Sequence, residues 1–579
     1  MTAANSRPRA SSTGAAIPQS AQSQPARSAD IDLAAIRHNV ATLAAHVAPA
    51  KTMVVVKADA YGHGALPVAL AAQAAGAHII GTAHLEEALA LREAGLTGEL
   101  VAWLHTPDAA FAEALAADIQ IGVSGWELSR VISAAAAIGH PAQVHLKVDT
   151  GLGRNGCPLP DWPALLAEAA AAEAAGHIKV VGIFSHLAMS EELAHHCTPD
   201  QLATFEEALG YVREAGLNPT YRHIANTAAA IAWPEAKYDL VRVGLGTYGL
   251  SPFADKTPED LGLIPAMTLR TRVANVKDVP VGTGVSYGWR YHTHDGSRLA
   301  LIPMGYADGI PRPAVAGPVS IHGTTYNCVG TVAMDQFVLD LSQHPQAQAT
   351  VNVGDEAILF GPPPAPSATA WADAAGTINY EIVTRISPRT PRRYRNAEFR
   401  LTLHTAEHTS AFAAALAGYL RPGDGIILSG ELGAGKTTFT QGLATGLGIE
   451  AAITSPTFVL ARHHENPTGP QLVHVDAYRL TDAQELYDID LDRTVPDAIT
   501  VVEWGQDKAE ELFTSWLQIE LIREVGGAAD TTDFSDEDVD EPRQLIIRPH
   551  GPRFQTLTAI QELAQLVAAA ATGGEEPQP

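Results

Sequence analysis

The sequence predicts an α/β chain of three folded units: a (β/α)8 TIM barrel, a mostly β domain and a P-loop α/β domain. Short β-rich runs alternate with Ala-rich stretches from about residue 30 to 265, and the helix signal then fades up to residue 394. A Gly-rich turn follows an apolar run near residue 430. The length of 579 residues suits several domains of about 150 residues each.

Composition excludes several classes of protein. Hydrophobic residues make up 46% and charged residues 18%, which excludes a disordered or collagen-like chain. The formal charge of −26 argues against non-specific nucleic-acid binding by the whole chain. Cys157, Cys197 and Cys328 form no close pair, so we expect a reducing, cytoplasmic location. No apolar run approaches the ~20 residues that a bilayer span needs, and we expect no membrane segment.

Residues 1–28 are predicted to be a disordered tail. They are rich in Ala, Ser, Pro and Gln and hold no apolar core or amphipathic stripe. A transit peptide remains an alternative, because the stretch lacks acidic residues.

The barrel is assigned to residues 29–265. Its predicted strands are the β-rich runs at 52–58, 78–83, 100–105, 119–125, 144–149, 180–187, 221–226 and 240–246. Helix-like segments such as 65–77 and 162–176 lie between most of them, as in repeated strand–helix units. Lys57, Lys147, His186 and Arg242 stand at or near strand ends, where a barrel places its site.

The second unit, residues 266–395, is predicted from short strands split by Gly and Pro, at 271–279, 297–304, 327–334, 336–341 and 355–361. The third unit, residues 396–579, begins with a predicted helix at 408–420. Its further strands are predicted at 425–430, 472–477, 498–504, 516–522 and 543–549. An acidic insertion at about 524–542 is read as a solvated segment.

Lys57 ends an apolar, β-branched run and is followed by the sequence ADAYGHGA. A lysine at a barrel mouth is partly desolvated, which lowers its pKa and makes it a usable nucleophile. The segment VVVKADAYGHG closely resembles the pyridoxal-phosphate lysine motif of alanine racemases. Further signatures of that family follow in order, namely KVDTGLGRNG, FSHLA, HIANTAA, VRVGLGTYGL, GVSYGW, GYADG, MDQ and INYE. The resemblance covers about residues 30–394.

This resemblance implies a cofactor, pyridoxal 5′-phosphate, and two catalytic bases. Lys57 would bond to the cofactor aldehyde and serve one face of the substrate, while Tyr287 serves the other. His186, His223 and Arg242 would form a supporting network, with Arg242 facing the pyridine nitrogen. An arginine keeps its proton, so the ring would stay unprotonated and be a weaker electron sink.

Further site residues also come from the resemblance. The phosphate would be held by Tyr61, Thr227, Tyr380 and the backbone at Gly244 and Leu245. Arg154 would contact the cofactor's phenolic oxygen and, with the Met334 amide, the substrate carboxylate. Tyr306 and Tyr380 would line the entry. Lys147 matches a lysine that is often carbamylated in relatives.

The sequence departs from the family pattern at two positions. Thr331 stands where many relatives carry Arg, three residues before Met334. Thr227 replaces a common Ser and keeps the hydroxyl.

In the family the equivalent of Tyr287 reaches a second subunit, so we expect a homodimer with shared sites. The implied reaction interconverts L- and D-alanine for peptidoglycan synthesis. A related decarboxylase, a different racemase and a non-catalytic cofactor-binding module remain as alternatives.

The third unit carries a phosphate-binding motif in the required context. GELGAGKTT fits G-x-x-x-x-G-K-T between an apolar strand and a helix, so its backbone N–H groups would cradle phosphates. Lys436 would contact the β/γ phosphates of ATP, and Thr437 would bind Mg²⁺. The nine ATP-binding residues predicted are Gly430, Glu431, Leu432, Gly433, Ala434, Gly435, Lys436, Thr437 and Thr438.

The companion motifs SPTF, HVDAYRL and VEWG resemble the TsaE family over about residues 401–551. TsaE-like proteins are ATPases that support threonylcarbamoylation of tRNA adenosine together with TsaB and TsaD partners. By resemblance Asp476 and Glu503 lie near the metal. The acidic chain fits only indirect contact with tRNA. A small-molecule kinase remains an alternative.

The two halves share no intermediate, so the chain is interpreted as a fusion without channelling.

Overall fold

The computed structural model describes residues 26–294, 297–346, 348–456, 460–480, 484–487, 491–523 and 541–572. Most of the expected tail (1–25) and of the acidic insertion (524–540) lies outside the described residues. None of the described helices is long and apolar enough to cross a bilayer.

The first unit is a parallel barrel. Its strands run in the order β10-β2-β3-β4-β5-β6-β8-β9, and backbone hydrogen bonds from Asp239 to Arg222 and from Arg242 to Ala225 help to close the remaining seam. The strands to this point are β1 (Arg27–Asp32), β2 (Lys51–Val55), β3 (Ile79–Thr82), β4 (Glu99–Ala102), β5 (Gln120–Val123), β6 (Ala142–Asp149), β7 (Cys157–Pro158), β8 (Ile178–Phe184), β9 (Tyr221–His223) and β10 (Leu240–Val243). Each of the eight predicted barrel strands is present.

The helical segments of this unit lie mostly on the outside of the barrel, where small and aliphatic residues form a buried face. They are α1 (Leu33–Val47), α2 (Lys57–Gly62), α3 (Ala65–Ala74), α4 (Leu85–Glu93), α5 (Phe111–Ala116), α6 (Glu127–Ile138), α7 (Trp162–Ala174), α8 (Cys197–Glu214) and α9 (Thr227–Ala232). The core contacts of α1, for instance, come from Ile36, Val40, Leu43 and Val47.

The second unit is a nine-stranded sheet in the order β12-β15-β18-β17-β16-β19-β11-β1-β20. Its strands and helices are β11 (Met267–Arg272), β12 (Asn275–Val279), β13 (Gly284–Val285), β14 (Tyr291–His292), β15 (Ser297–Ile302), β16 (Pro318–Ile321), β17 (Thr324–Val329), β18 (Phe337–Asp340), β19 (Glu356–Phe360), α10 (Ala368–Ala375), α11 (Asn379–Thr384) and β20 (Arg392–Arg395). The run predicted as one strand at 271–279 divides between β11 and β12.

The N-terminal boundary needs a correction. Strand β1 pairs with β11 and β20, so the first described strand belongs to the β domain and precedes the barrel. Arg27 and Ser28, expected in the tail, are therefore strand residues, and residues 29–32, assigned to the barrel, pair with the β-domain sheet. The nearest partner strand is more than 200 residues away in sequence, which leaves no local signal for this pairing.

The third unit is a seven-stranded sheet in the order β21-β27-β26-β22-β25-β24-β23, with the central strands β26, β22, β25 and β24 parallel. Its elements are β21 (Phe399–Leu403), α12 (Ala406–Ala417), β22 (Asp424–Ser429), α13 (Lys436–Gly446), β23 (Ala461–His464), β24 (Gln471–Asp476), α14 (Gln484–Tyr487), α15 (Leu491–Thr494), β25 (Ala498–Glu503), β26 (Ser515–Arg523), β27 (Arg543–His550) and α16 (Leu557–Thr572).

Several contacts between described residues join the third unit to the first two. The amide of Tyr394 in β20 donates to the backbone oxygen of Gln555 at 2.8 Å. Helix α16 lies against α3, and Ala568 is close to Gly95.

Candidate active sites

The barrel holds a cavity of about 390 Å³ at the carboxyl ends of its strands. Ten of the predicted site residues line it: Lys57, Tyr61, Lys147, Arg154, His186, Thr227, Arg242, Gly244, Leu245 and Tyr380. Four of these side chains are basic, and the described lining contains no Asp or Glu. Such a lining favours a ligand that carries several negative charges.

Lys57 begins an unusual turn. Ala58, Asp59, Ala60 and Tyr61 all have φ between 52° and 53°, a left-handed conformation that costs non-glycine residues roughly 1–2 kcal/mol each. Side chains hold the turn in place: Glu87 accepts from the amide of Ala58 at 2.6 Å and Asp59 from that of Ala65 at 2.8 Å. Backbone strain of this kind is concentrated at functional sites. The sequence analysis did not predict this turn, because a single Asp among Ala and Tyr residues does not indicate four consecutive left-handed residues.

Two lysines face the cavity with lowered pKa values. Burial, followed by the charge of Arg154, lowers the pKa of Lys57. Burial, followed by the charges of Arg242 and Arg154, lowers the pKa of Lys147 to about 8. Both amines are thus more often neutral, and therefore nucleophilic, than a lysine in water.

One end of the cavity suits a phosphate. Thr227 Oγ1 accepts from the amide of Gly244 at 3.0 Å, and this hydroxyl stands beside Tyr61 and Tyr380 at the cavity wall. A Cβ at Gly244 would lie 2.5 Å from the Tyr61 hydroxyl, so only glycine admits this tyrosine. A glycine backbone and three hydroxyl groups therefore lie at this end of the cavity, and such groups can bind an anion.

Arg242 is the centre of the buried polar network. Its Nη2 donates to Nδ1 of His186 at 3.0 Å, and its Nη1 donates to Nδ1 of His223 at 2.9 Å. Because guanidinium only donates, both Nδ1 atoms must accept, which places the proton of each neutral imidazole on Nε2. Burial, then the charge of Arg242, lowers the pKa of both histidines well below the usual value, which fits neutral rings. His223 contacts Arg242 on the side away from the cavity and is not among the residues that line the cavity.

The remaining predicted residues lie elsewhere, on the β domain. Tyr287 is 72% exposed, Met334 53% and Tyr306 38%, and the cavity lining includes none of them. They nevertheless belong to one patch: Thr331 Oγ1 donates to the backbone oxygen of Tyr287 at 3.0 Å, and the amide of Tyr306 donates to Ala333, next to Met334, at 3.1 Å. The predicted residues therefore form two groups, one in the cavity and one on an exposed surface.

The third unit presents the phosphate-binding loop as predicted. The loop joins β22 to α13, and Gly430, Gly433 and Gly435 have φ values of 138°, 80° and 101°. Lys436 Nζ donates to the backbone oxygens of Gly430 and Glu431 at 2.8 Å and lies 3.9 Å from the ring centroid of Trp504. The lysine is thus folded back on its own loop.

Two buried acids stand beside this loop. Asp476 and Glu503 are register partners at the ends of the parallel strands β24 and β25, where ligands of such sheets bind. Thr437 Oγ1 donates to Glu503 at 3.3 Å. Thr437, Asp476 and Glu503 therefore fit a hard cation such as Mg²⁺, which prefers oxygen ligands and phosphates. Thr457 and Phe458 of the SPTF motif lie outside the described residues.

Sequence reasoning missed His474, which holds Glu503. Its Nε2 lies 2.8 Å from Glu503 Oε1, and both side chains are buried. A signal was present, because His474 and Asp476 are two positions apart on one strand and therefore share a face.

Fold and sites together define a two-part chain: a barrel enzyme whose cavity suits an anionic cofactor bound by lysine, joined to a P-loop nucleotide-binding domain. Comparison with known proteins makes this specific. The family model for the N-terminal domain of alanine racemase matches residues 31–252, that for the C-terminal domain residues 266–394, and that for threonylcarbamoyl adenosine biosynthesis protein TsaE residues 403–529.

Individual relatives agree for the first two units. An alanine racemase of Frankia casuarinae is 50% identical over 63% of this chain and 95% of its own length, and one of Thermobifida fusca is 50% identical over 64% and 98%. A crystal structure of alanine racemase from Streptomyces lavendulae superposes with a TM-score of 0.62 at 49% identity, covering 64% of this chain and 97% of that one. The chain belongs to the alanine racemase family and also carries a TsaE domain.

Proposed function

We propose that the first two units racemise alanine with pyridoxal 5′-phosphate, using Lys57 and the partner's Tyr287 as the two bases. The observation that carries this is the cavity itself, in which Lys57, a phosphate-sized cradle and four basic groups meet without an acid. When bound, the cofactor supplies an electron sink that acidifies the substrate Cα–H.

The protein's own groups have separable tasks. The Lys57 amine, with its lowered pKa, holds the aldehyde and then moves a proton on one face of the substrate. Arg154 at the cavity wall attracts the substrate carboxylate, and Thr227, Tyr61 and the Gly244 backbone bind the phosphate. Arg242 would donate to the ring nitrogen of the cofactor and keep its own proton, which would limit delocalisation into the ring.

The second base comes from another copy of the chain. Tyr287, Tyr306 and Met334 form an exposed patch, which supports a homodimer in which each patch completes the partner's cavity. His186 aids this base. Since its Nδ1 accepts from Arg242, its Nε2–H faces the cavity, where it would donate to the phenol oxygen of the partner's Tyr287 and favour phenolate.

Lys147 is proposed to be carbamylated. Its pKa of about 8 leaves part of the amine neutral at pH 7, and only the neutral amine adds CO₂. The resulting carbamate would neutralise one cation in the cavity and accept a hydrogen bond from Arg154. Intact mass measured with and without bicarbonate, against a Lys147→Arg control, tests this.

The decisive experiment follows the optical activity of L-alanine incubated with the purified chain and pyridoxal phosphate. Decay of the optical rotation to zero establishes racemisation, whereas release of carbon dioxide would favour the decarboxylase alternative. An unchanged optical rotation without carbon dioxide release would favour the non-catalytic cofactor-binding module. A visible absorbance band that is lost in Lys57→Ala identifies both the cofactor and its anchor.

The third unit is proposed to hydrolyse ATP with Mg²⁺ in support of threonylcarbamoyladenosine formation on tRNA, acting with TsaB- and TsaD-type proteins. Its support is the match of the family model, together with the pairing of Thr437 and Glu503 beside the loop. ATP hydrolysis that partner proteins stimulate, with no phosphorylated acceptor, is expected. A phosphorylated metabolite would instead indicate the kinase alternative.

Both reactions are proposed to take place in the cytoplasm, since Cys157, Cys197 and Cys328 are all free thiols and ATP is required. D-Alanine formed here would supply peptidoglycan synthesis.

A further inference from the structure

Arg242 is a buried cation, and none of the hydrogen-bond partners that the described residues show for it is a carboxylate. The hydrogen bonds that the described residues show for it end on two histidine nitrogens and on the backbone oxygens of Ser185, His223 and Ile224. Burial lowers its pKa to about 9. A buried charge normally has an ionic partner, because desolvation otherwise costs several kcal/mol. The position of its counter-charge therefore requires an explanation.

A chain of hydrogen bonds leads from Arg242 to such a charge. Arg242 donates to His223 Nδ1, and His223 Nε2 lies 3.0 Å from His145 Nδ1. His145 Nε2 lies 2.7 Å from Gln120 Oε1, and Gln120 Nε2 donates to Glu99 Oε2 at 2.8 Å. We call these five residues the polar column.

The first donor fixes the direction of the whole column. Guanidinium can only donate, so His223 Nδ1 accepts and its Nε2–H donates to His145. His145 must then donate from Nε2 to the oxygen of Gln120, whose amide nitrogen donates to Glu99. Every bond points the same way, from the cation to the carboxylate, and aligned hydrogen bonds polarise one another.

The polar column crosses the interior of the barrel. Glu99 and Gln120 are the first residues of β4 and β5, at the amino end of the barrel, whereas Arg242 is near the carboxyl end of β10. The interior of such a barrel is usually filled by layers of branched apolar side chains, so a continuous path of polar side chains is unusual. Gly182 makes room for it, because a Cβ there would overlap the imidazole of His145.

Both ends of the polar column are held. At the amino end the Tyr221 hydroxyl donates to the second oxygen of Glu99 at 3.1 Å. Gln120 is 4% exposed, and His145 and His223 are buried, so water does not compete along the middle of the path. At the other end His186 and three carbonyl oxygens fix the guanidinium.

We propose that Glu99, Gln120 and His145 are positioning residues for Arg242: they hold His223 as the Nε2–H tautomer and supply, from the opposite end of the barrel, the counter-charge of the buried guanidinium. This inference rests on the proposed function, since Arg242 acts there on the ring of the cofactor. Loss of the column lets the guanidinium tilt and weakens its hold on the ring nitrogen.

The first test measures the tautomers directly in the full-length chain. Magic-angle spinning NMR of protein labelled with ¹⁵N-histidine is expected to show His145 and His223 as neutral rings protonated on Nε2. The two signals are assigned by their loss in His145→Gln and His223→Gln. A doubly protonated ring, or a proton on Nδ1 of either residue, overturns the proposal. This measurement needs no turnover, so it stays decisive even if racemisation fails and the proposed function falls.

The second test removes the charge without removing bulk. Glu99→Gln is expected to lower kcat about fivefold with KM changed less than about twofold, the effect of one hydrogen bond of ordinary strength. Gln120→Leu breaks the column and is expected to cost at least as much and to shift the absorbance band of the bound cofactor. Asp118→Asn is the matched control, because Asp118 lines the same cavity at the amino end of the barrel as Glu99 but lies outside the column.

The controls separate positioning from stability. Asp118→Asn is expected to match wild type in kcat and in the cofactor spectrum. Equal kcat and equal spectra for Glu99→Gln and Asp118→Asn would overturn the proposal. A fall in kcat that merely follows a lower thermal midpoint, with unchanged histidine tautomers and an unchanged cofactor band in Gln120→Leu, would overturn it as well.

Discussion

Thr331 holds Tyr287 by its backbone: Thr331 Oγ1 donates to the Tyr287 carbonyl oxygen at 3.0 Å, while Ser286 Oγ donates to the Thr331 carbonyl at 2.6 Å. The two hydrogen bonds form a short clamp on the loop that carries Tyr287, the proposed second base.

The clamp predicts a difference between two small substitutions. Thr331→Val removes the hydroxyl at constant volume and is expected to lower kcat about fivefold, because one hydrogen bond of about 1 kcal/mol positions the loop. Thr331→Ser keeps the hydroxyl and should stay near wild type. Steady-state racemisation rates compare them, and equal rates for Val and Ser would show that the clamp does not matter.

The two groups of site residues predict complementation between chains. Lys57→Ala and Tyr287→Phe should each be inactive alone. In a mixed dimer, however, the unchanged cavity of the Tyr287→Phe chain meets an unchanged Tyr287 from its partner. One of two sites is then intact, so about half of the wild-type activity per dimer is expected. A wild-type chain paired with the doubly substituted Lys57→Ala/Tyr287→Phe chain is the control. Shared sites leave this mixed dimer inactive, whereas half of the wild-type activity there would argue against a shared site.

Local sequence predicted the barrel strands well, because each apolar β-rich run is separated from the next by an Ala-rich helix. The pairing of β1 with β11 was not predictable, since its partner lies far along the chain. The left-handed turn after Lys57 was also missed, because Ala and Tyr carry no preference for positive φ and a single Asp does not indicate a run of four such residues.

The site residues that lie within recognisable sequence motifs could be predicted. Resemblance to the family supplied Lys57 and Arg242, and both line the cavity of the barrel. It did not supply Gln120 or His145, which are interior residues on different strands, brought together only when the sheet closes into a barrel.

The folded-back Lys436 predicts an optical signal for nucleotide binding. To reach a phosphate, Lys436 must leave its two carbonyl partners and the face of Trp504. Mg-ATP is therefore expected to change tryptophan fluorescence, and Trp504→Phe should abolish the change. Lys436→Met should weaken ATP binding about tenfold or more, the cost of losing a hydrogen bond to a charged group. An unaltered ATP response in Trp504→Phe would assign the signal to another tryptophan.

The position of the cavity predicts that the two halves work independently. Every residue of the described lining precedes Asn396. A chain that ends at Asn396 is expected to keep kcat and KM within about twofold, as distant sites usually behave independently. Its thermal midpoint should fall, because the apolar side of α16 no longer covers the barrel surface near Gly95. A severalfold change in kcat would contradict independence.

Buried histidines predict acid sensitivity of the barrel. Burial lowers the pKa of His63 to about 4 and that of His145 to about 3, while an unfolded histidine has a pKa of about 6.5. The unfolded chain therefore binds more protons, so stability is fully present above about pH 6.5 and is lost as the pH falls towards the folded values. Each histidine contributes about 1.4 kcal/mol per pH unit in that window.

Urea unfolding of the barrel at pH 8, 6.5 and 5 measures this dependence. His145→Gln should reduce the slope between pH 6.5 and 5 by about one proton, since it removes one titrating group. His140→Gln is the matched control, because it makes the same substitution at an exposed histidine of the barrel unit. If His145→Gln gave the same slope as wild type, His145 would have to be protonated in the folded barrel as well, and its Nδ1 could not accept the hydrogen bond from His223.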